Sequence, residues 1–259
     1  MRRRTPAGVV VLAIAAVVFV GLPLVGLALS VPWSDLPALL TAPEVATALG
    51  LSLAASLSAT AISLVLGVPA AWVFATTRFR GRSVARGVVL LPVVLPPVVG
   101  GAALLFTLGR TGVLGGPLYD LSGLVLPFSF AGVVVAVTFV ALPFVVLTME
   151  AAFRSIDPGF IGAAETLGAS PWTVFRRVSL PLVRSSLGAA TLLAWARAFG
   201  EFGATVTFAG NLPGRTQTLP LAVFVALESD RRAAVAISLV MVVVALAVLV
   251  GLRDRWWRT

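Results

Sequence analysis

The sequence of 259 residues is 59% hydrophobic and only 11% charged, with a mean hydropathy of +1.06. This is more apolar surface than one soluble core could bury, so lipid is expected to surround most of the chain. All 19 positively charged residues are arginines, because the chain has no lysine, and with 10 acidic residues they give a net charge of +9. Cysteine and histidine are also absent, which excludes a disulfide framework and most metal and general-base chemistry. Without lysine, the phosphate-binding loop of nucleotide hydrolases is excluded too.

Six stretches are long and apolar enough to cross a bilayer, whose core of about 30 Å requires roughly 20 helical residues. Only the fifth contains ionisable residues, and the six cover residues 5–34, 45–77, 87–109, 121–149, 185–209 and 233–252. No short alternating segments indicate membrane strands. We therefore predict an all-α, polytopic membrane protein with six transmembrane helices, forming one domain over residues 1–259. The first stretch follows three arginines, but it is too long for the apolar core of a cleaved signal.

The arginines predict the orientation, because basic residues near the ends of spans are retained on the cytoplasmic side. In a six-span arrangement fourteen arginines fall on one side: Arg2, Arg3, Arg4, Arg78, Arg80, Arg82, Arg86, Arg154, Arg176, Arg177, Arg184, Arg253, Arg255 and Arg258. The other side receives four arginines and five acidic residues. Both termini are therefore expected to be cytoplasmic. Trp256 and Trp257 fit an interfacial anchor after the last helix.

The longest cytoplasmic segment, residues 150–184, carries clear signals for the ends of helices. Asp157 can cap a helix that starts at Pro158, and Gly168 can end it in a left-handed conformation. Ser170 and Pro171 repeat the start signal, and Pro181 is expected to limit the second helix. The segment mixes small residues with large apolar ones, which suits a projection that docks on a partner. A helical hairpin packed against the membrane face is the alternative.

The run Gly162-Ala163-Ala164, followed by Gly168, Val178 and Leu180-Pro181, resembles the Glu-Ala-Ala loop of bacterial ABC importer permeases. In that family the loop is the coupling helix that docks on the ATPase. The resemblance implies a coupling role for Gly162, Ala163, Ala164, Glu165, Leu167, Gly168, Ala169, Val178, Leu180 and Pro181. Gly162 stands where the family has glutamate, so the polar contact of that glutamate is in question here.

The fifth stretch contains Arg197 and Glu201, which lie four residues apart and hence on one face of a continuous helix. Ionisable side chains cost several kcal/mol when exposed to lipid, so both should face the bundle or a water-filled path. A structural ion pair joining two spans and a role near the translocation pathway or its gate are both open. The pathway interpretation adds Gly200, Phe202, Gly203 and Thr205.

Proline and glycine are concentrated in the third stretch. Pro92, Pro96 and Pro97 remove backbone donors and are expected to break the helix, which is tolerated at membrane depth only beside protein or water. Such a break is either part of a pathway or a packing kink. Gly100, Gly101, Gly200 and Gly203 could serve close helix packing.

Residues 196–205, 209–220 and 91–100 resemble the molybdate or tungstate permease subunit of ABC importers. Sulfate and thiosulfate permeases share a similar Gly-Glu-Phe-Gly segment, so a sulfate importer is the alternative. The resemblance implies the type I permease fold, alternating access, a homodimer in the cell membrane and an extracytoplasmic oxyanion-binding protein. It also implies separate ATPase subunits that bind ATP and Mg, so that this chain is not an enzyme, binds no cofactor or metal and contacts no nucleic acid.

A secondary transporter driven by an ion gradient is a more distant alternative. Such proteins often have internal repeats and several ionisable residues at the midplane of the membrane. The chain has no clear repeat and only one ionisable pair within a span. A membrane-bound enzyme is disfavoured by the absence of histidine, cysteine and lysine.

Overall fold

A computed structural model describes residues 6–256, with side chains described up to residue 251. Every regular element in this part of the chain is helical, as predicted. The helices are α1 (Ala7–Leu29), α2 (Leu36–Leu40), α3 (Pro43–Thr76), α4 (Arg82–Val94), α5 (Pro97–Leu108), α6 (Gly115–Ser122), α7 (Phe130–Arg154), α8 (Pro158–Thr166), α9 (Pro171–Thr173), a π-helical segment (Val174–Ser179), α10 (Leu180–Leu182), α11 (Arg184–Phe199), α12 (Gly203–Phe208), α13 (Leu219–Ser229) and α14 (Arg231–Trp256). The expectations for Arg2, Arg3, Arg4, Arg258 and Trp257, and for the side chains of Arg253, Arg255 and Trp256, lie outside the described part.

Four helices are long and apolar enough to cross a membrane, namely α1, α3, α7 and α14. They lie in the first, second, fourth and sixth predicted stretches. The segment from α9 to α10 forms a bent pair with α11, at an angle of 79°, and provides a fifth candidate span. The third stretch is divided between α4 and α5, each too short to cross alone. Six spans and two cytoplasmic termini thus remain predictions.

The third stretch breaks between Val94 and Pro97, where Leu95 and Pro96 have extended backbone. A residue before proline avoids the helical conformation, and two prolines follow Leu95 directly. The predicted break is confirmed at Pro96 and Pro97. It is wrong at Pro92, which lies inside α4, because a single interior proline removes one hydrogen bond while the flanking turns still form.

The core of the bundle is built where α3, α7 and α11 pack together. Alanine dominates their contact faces, with fully buried side chains at Ala59, Ala71, Ala141, Ala190 and Ala194. Small side chains let helix backbones approach closely, which is the main source of packing energy between helices in lipid. In contrast, α1 has no buried residue, and its apolar side chains face outward on all sides. This is the pattern expected of a helix surrounded by lipid.

Helix α13 was not anticipated, because its apolar run is too short for a span. It packs against α14 and α3 through Leu219 and Ala226. The backbone N–H of Leu219 donates to Oγ of Ser52 in α3, at 2.7 Å, and both residues are buried. A hydroxyl on α3 thereby satisfies a donor at the start of α13 and fixes where this helix begins.

Glycine permits the closest contact between α5 and α12. A Cβ added to Gly101 would lie 2.8 Å from the carbonyl oxygen of Ala204 and 2.9 Å from its Cα. A Cβ added to Gly203 would likewise lie 2.9 Å from the Cβ of Pro97. Gly100 instead faces the ring of Phe139, and Gly200 has only its own turn nearby. Two of the four glycines therefore set this contact.

We predict that Gly101→Ala destabilises the protein, because the added methyl group meets backbone that cannot rotate away. Overpacking of this kind typically costs about 1–3 kcal/mol. Thermal unfolding in detergent, followed by tryptophan fluorescence, should show a lower midpoint. Gly87→Ala in α4 is the matched control, since nothing lies within 4 Å of its added Cβ. Equal midpoints for the two variants would contradict the close contact.

Candidate coupling and pathway sites

The cytoplasmic loop begins with a helix whose two ends are closed by local hydrogen bonds. Asp157 accepts from the backbone N–H of Gly159 at 2.8 Å, and Pro158 occupies the first position of α8. At the other end Gly168 has φ +81°, its N–H donates to the carbonyl of Glu165, and the N–H of Ala169 donates to that of Ala164. This pair of bonds is a Schellman motif. The predicted caps are therefore confirmed, and they give α8 a defined length.

A second helix begins at Ser170, whose hydroxyl accepts from the N–H of Thr173. Pro181 limits it as predicted, to within one residue, because the helix ends at Leu182. The π-helical segment directly before this proline widens the turn, which gives its ring room against the carbonyl four residues back. The helix then bends by 79° into α11. The proline therefore lies next to the end of this helix and to the bend that follows it.

The residues assigned to coupling divide into an exposed turn and a packed base. Gly162, Ala163, Glu165, Leu167 and Gly168 are exposed, and Ala164 and Ala169 are half-buried. Leu167 is 89% exposed, and the neighbouring Phe160 and Trp172 are 57% and 65% exposed. In the base Val178 and Leu180 are half-buried, and Leu180 packs against the core. Pro181 is exposed at the bend.

Phe175 anchors the loop to the bundle. Its ring is buried, and the ring centroids of Trp72 in α3, Trp172 in α9 and Phe153 in α7 lie 5.3, 5.5 and 6.4 Å away. Aromatic pairs at such separations stabilise packing beyond the area they bury. The loop is therefore attached firmly at its packed base, while its exposed turn presents large apolar side chains.

A buried ionic cluster lies where α7 leads into the loop. The side chain of Glu150 is 3% exposed, and Nε of Arg86 in α4 donates to its two carboxylate oxygens at 3.0 and 2.8 Å. Nη2 of Arg154, one turn further along α7, donates to Oε1 at 2.5 Å. Sequence reasoning missed this cluster. Its only local signal was an acidic and a basic residue four apart at the end of a span, which does not reveal Arg86.

Arg197 and Glu201 form an ion pair, but its geometry differs from the one predicted. Helix α11 ends at Phe199, so the two residues bridge a break instead of sharing the face of one helix. Nη1 of Arg197 lies 2.5 Å from Oε2 of Glu201, and Oε1 accepts from the N–H of Ala204 at 2.7 Å. Glu201 therefore caps the first turn of α12 as well as pairing with Arg197. The side chain of Glu201 is 1% exposed and that of Arg197 27%.

The remaining pathway candidates surround this break. Gly200 is exposed, and the ring of half-buried Phe202 lies 5.2 Å from that of Phe224 in α13. Gly203 is buried against Pro97, so the break in the fifth stretch contacts the break in the third. Thr205 is fully buried, and its hydroxyl has no hydrogen-bond partner among the described residues. The structure thus brings the two irregular segments of the bundle together.

Comparison with known proteins identifies the family. A family model described as "Binding-protein-dependent transport system inner membrane component" matches residues 63–256. A relative from Mycobacterium bovis named molybdenum transport system permease protein ModB is 46% identical over 250 residues, covering 96% of this chain and 94% of its own. The protein of the same name from Escherichia coli is 39% identical over 218 residues, covering 84% and 95%. A probable sulfate transport system permease protein, cysT, from Zygnema circumcarinatum is 34% identical over 218 residues, covering 84% and 75%.

Solved structures share the fold. A chain of a bacterial ABC transporter involved in the import of alginate superposes with a TM-score of 0.76 at 20% identity, covering 97% of this chain and 94% of its own. A chain of the MetNI methionine ABC transporter, in an inward-facing conformation, gives a TM-score of 0.62 at 16% identity, covering 81% and 93%. These matches confirm the predicted fold of an ABC importer permease. The chain belongs to the family of binding-protein-dependent transport system inner-membrane components.

Proposed function

We propose that the chain is the membrane permease of an ATP-driven importer of molybdate or tungstate. The observation that carries this proposal is the 46% identity to a molybdenum transport permease over nearly the whole of both chains. A match of that extent includes the loop, both broken stretches and the helices between them. The transported ion therefore follows from similarity over the complete fold, not from one motif.

A sulfate importer is the second candidate, because the algal sulfate permease is also related over most of this chain. Its identity of 34% is lower than the 46% and 39% of the molybdenum permeases. Both ions are tetrahedral dianions, so the same arrangement of the pathway could serve either. A transporter driven by an ion gradient has no support from these relatives.

The chain is proposed to work as a homodimer with two ATPase subunits and an extracytoplasmic binding protein. The ATPases bind ATP and Mg, since this chain lacks the lysine of a nucleotide-binding loop. Each permease copy contributes one coupling loop, and nucleotide binding draws the two loops together. The pathway between the copies then opens alternately to either side of the cell membrane, while both termini lie in the cytoplasm.

The charges at the break between Phe199 and Gly203 favour the approach of an anion. The carboxylate of Glu201 is compensated by Arg197 and by a backbone N–H, and it is shielded from solvent. The guanidinium of Arg197 is the accessible partner of the pair. An oxyanion approaching this break would therefore meet a cation and not the bare carboxylate. We assign Arg197, Gly200, Glu201, Phe202, Gly203 and Thr205 to the pathway on this basis.

ATP hydrolysis by the complete complex in lipid tests the substrate. We predict stimulation by the binding protein loaded with molybdate or tungstate and no stimulation by the same protein incubated with sulfate. Stimulation with sulfate alone would identify sulfate as the substrate and leave the proposed mechanism unchanged. A chain that co-purifies with no ATPase would contradict the importer proposal.

Leu167→Glu tests the coupling loop. Because Leu167 is 89% exposed, the substitution should leave the fold intact while placing a charge in an apolar contact with the ATPase. We expect co-purification of the ATPase to fall at least about tenfold, as for a central interface residue. Val113→Glu is the matched control, since Val113 is 81% exposed in the segment between the third and fourth predicted stretches, on the side expected to face away from the cytoplasm. Equal ATPase retention in both variants would argue against docking through Leu167.

Gly162→Glu tests the departure from the family pattern. Nothing lies within 4 Å of a Cβ added at Gly162, and the residue is exposed in the interior of α8. Glutamate should therefore fit, and it should favour the helix by about 0.5–1 kcal/mol relative to glycine. We expect unchanged or tighter binding of the ATPase, measured by titration in detergent. Loss of binding would show that the partner surface requires the small residue.

A further inference from the structure

The buried cluster at Glu150 joins two parts of the chain that are 64 residues apart. Arg86 belongs to α4, and Glu150 belongs to the last turns of α7. Both oxygens of the carboxylate accept from the same Nε of Arg86, while Arg154 adds a bond from within α7. The two arginines are partly exposed, at 41% and 50%, but the carboxylate is not. The cluster is therefore a link between helices, with Arg154 as a local support.

Each end of this link leads to a different candidate site. After Arg154, only residues 155–157 separate α7 from α8, the exposed turn of the coupling loop. On the other side, α4 continues from Arg86 to the break at Pro96, and α5 beyond it packs against α12. The cluster thus lies between the segment that meets the ATPase and the two broken stretches.

A buried carboxylate makes this connection stiff. Separating α4 from α7 at this point would break both hydrogen bonds from Arg86 and leave the buried carboxylate with the single bond from Arg154, which is unfavourable. We therefore expect a displacement of the end of α7 to move the part of α4 that contains Arg86. The extended backbone at Leu95 and Pro96 lets that part of the stretch move relative to α5.

We infer that Glu150 and Arg86 are positioning residues that transmit the movement of the coupling loop to the broken stretch formed by α4 and α5. This inference rests on the proposed function, because it requires an ATPase acting on the loop. The proposed function does not say how the movement is transmitted, whereas this inference assigns the transmission to the contact between Arg86 and Glu150. A purely structural ion pair is the competing explanation.

The test uses the complete complex reconstituted in lipid vesicles and measures two quantities, ATP hydrolysis and molybdate imported per ATP hydrolysed. The variants are Arg86→Gln, Glu150→Gln and the two combined. Arg82→Gln is the matched control, because it removes the same charge one turn earlier in α4 from a residue with no ion pair among the described residues. ATPase retention and thermal unfolding are measured in parallel.

We expect each single variant to retain the ATPase and to import about three- to tenfold less molybdate per ATP, the range of typical coupling effects. The double variant should be as impaired as the more affected single one, and no more so, since both remove the same contact. Arg82→Gln should keep the wild-type ratio.

Recovery of the ratio in the double variant would overturn the inference, because it would show that only the uncompensated charge had mattered. An unchanged ratio in Arg86→Gln would overturn it as well. If the wild-type complex hydrolyses ATP but imports no oxyanion, the proposed function fails and the inference fails with it. If the wild-type complex imports molybdate with ATP hydrolysis and the Arg86 and Glu150 variants keep the same ratio, the inference is rejected while the proposed function stands.

Discussion

The hydrocarbon core of a bilayer offers no partner for a free backbone group, and this constraint governs the irregular parts of the bundle. Two of the breaks within predicted spans lie between Val94 and Pro97 and between Phe199 and Gly203. At the first break prolines remove the donors. At the second, the carboxylate of Glu201 accepts from the N–H of Ala204. Contact between Gly203 and Pro97 places the two breaks against each other.

The two buried carboxylates among the described residues, those of Glu150 and Glu201, make the same two kinds of contact. Each pairs with an arginine four residues away, Glu150 with Arg154 and Glu201 with Arg197. Each also accepts from a second donor on another element, Nε of Arg86 in α4 or the first turn of α12. The local arginine compensates the charge, and the second donor fixes the position of the neighbouring element. Both carboxylates therefore connect two helical elements through hydrogen bonds.

The features that sequence reasoning predicted are local ones. Asp157, Gly168 and Ser170 act within a few residues of themselves, so their caps could be read from spacing alone. The same holds for the break before Pro96, which depends on the conformation of a single preceding residue. Long apolar stretches likewise predicted the four continuous membrane helices.

The features that were missed depend on distant partners. Nothing near Glu150 indicates Arg86, and nothing near Leu219 indicates that Ser52 of α3 supplies its acceptor. The break after Phe199 was missed because Gly200 can be accommodated within a helix, and the hydrogen bond from Ala204 to Glu201 at the start of α12 could not be predicted from spacing. Spacing predicted that Arg197 and Glu201 interact, but it could not predict the geometry of that interaction.

The central claim is that a separate ATPase drives an oxyanion through this permease. The most direct measurement follows isotopically labelled molybdate entering vesicles that contain the complex, with the loaded binding protein outside. ATP enclosed in the vesicles is compared with an imposed proton or sodium gradient without ATP. The account predicts accumulation with ATP alone and none with either gradient. Accumulation driven by a gradient in the absence of ATP would contradict it.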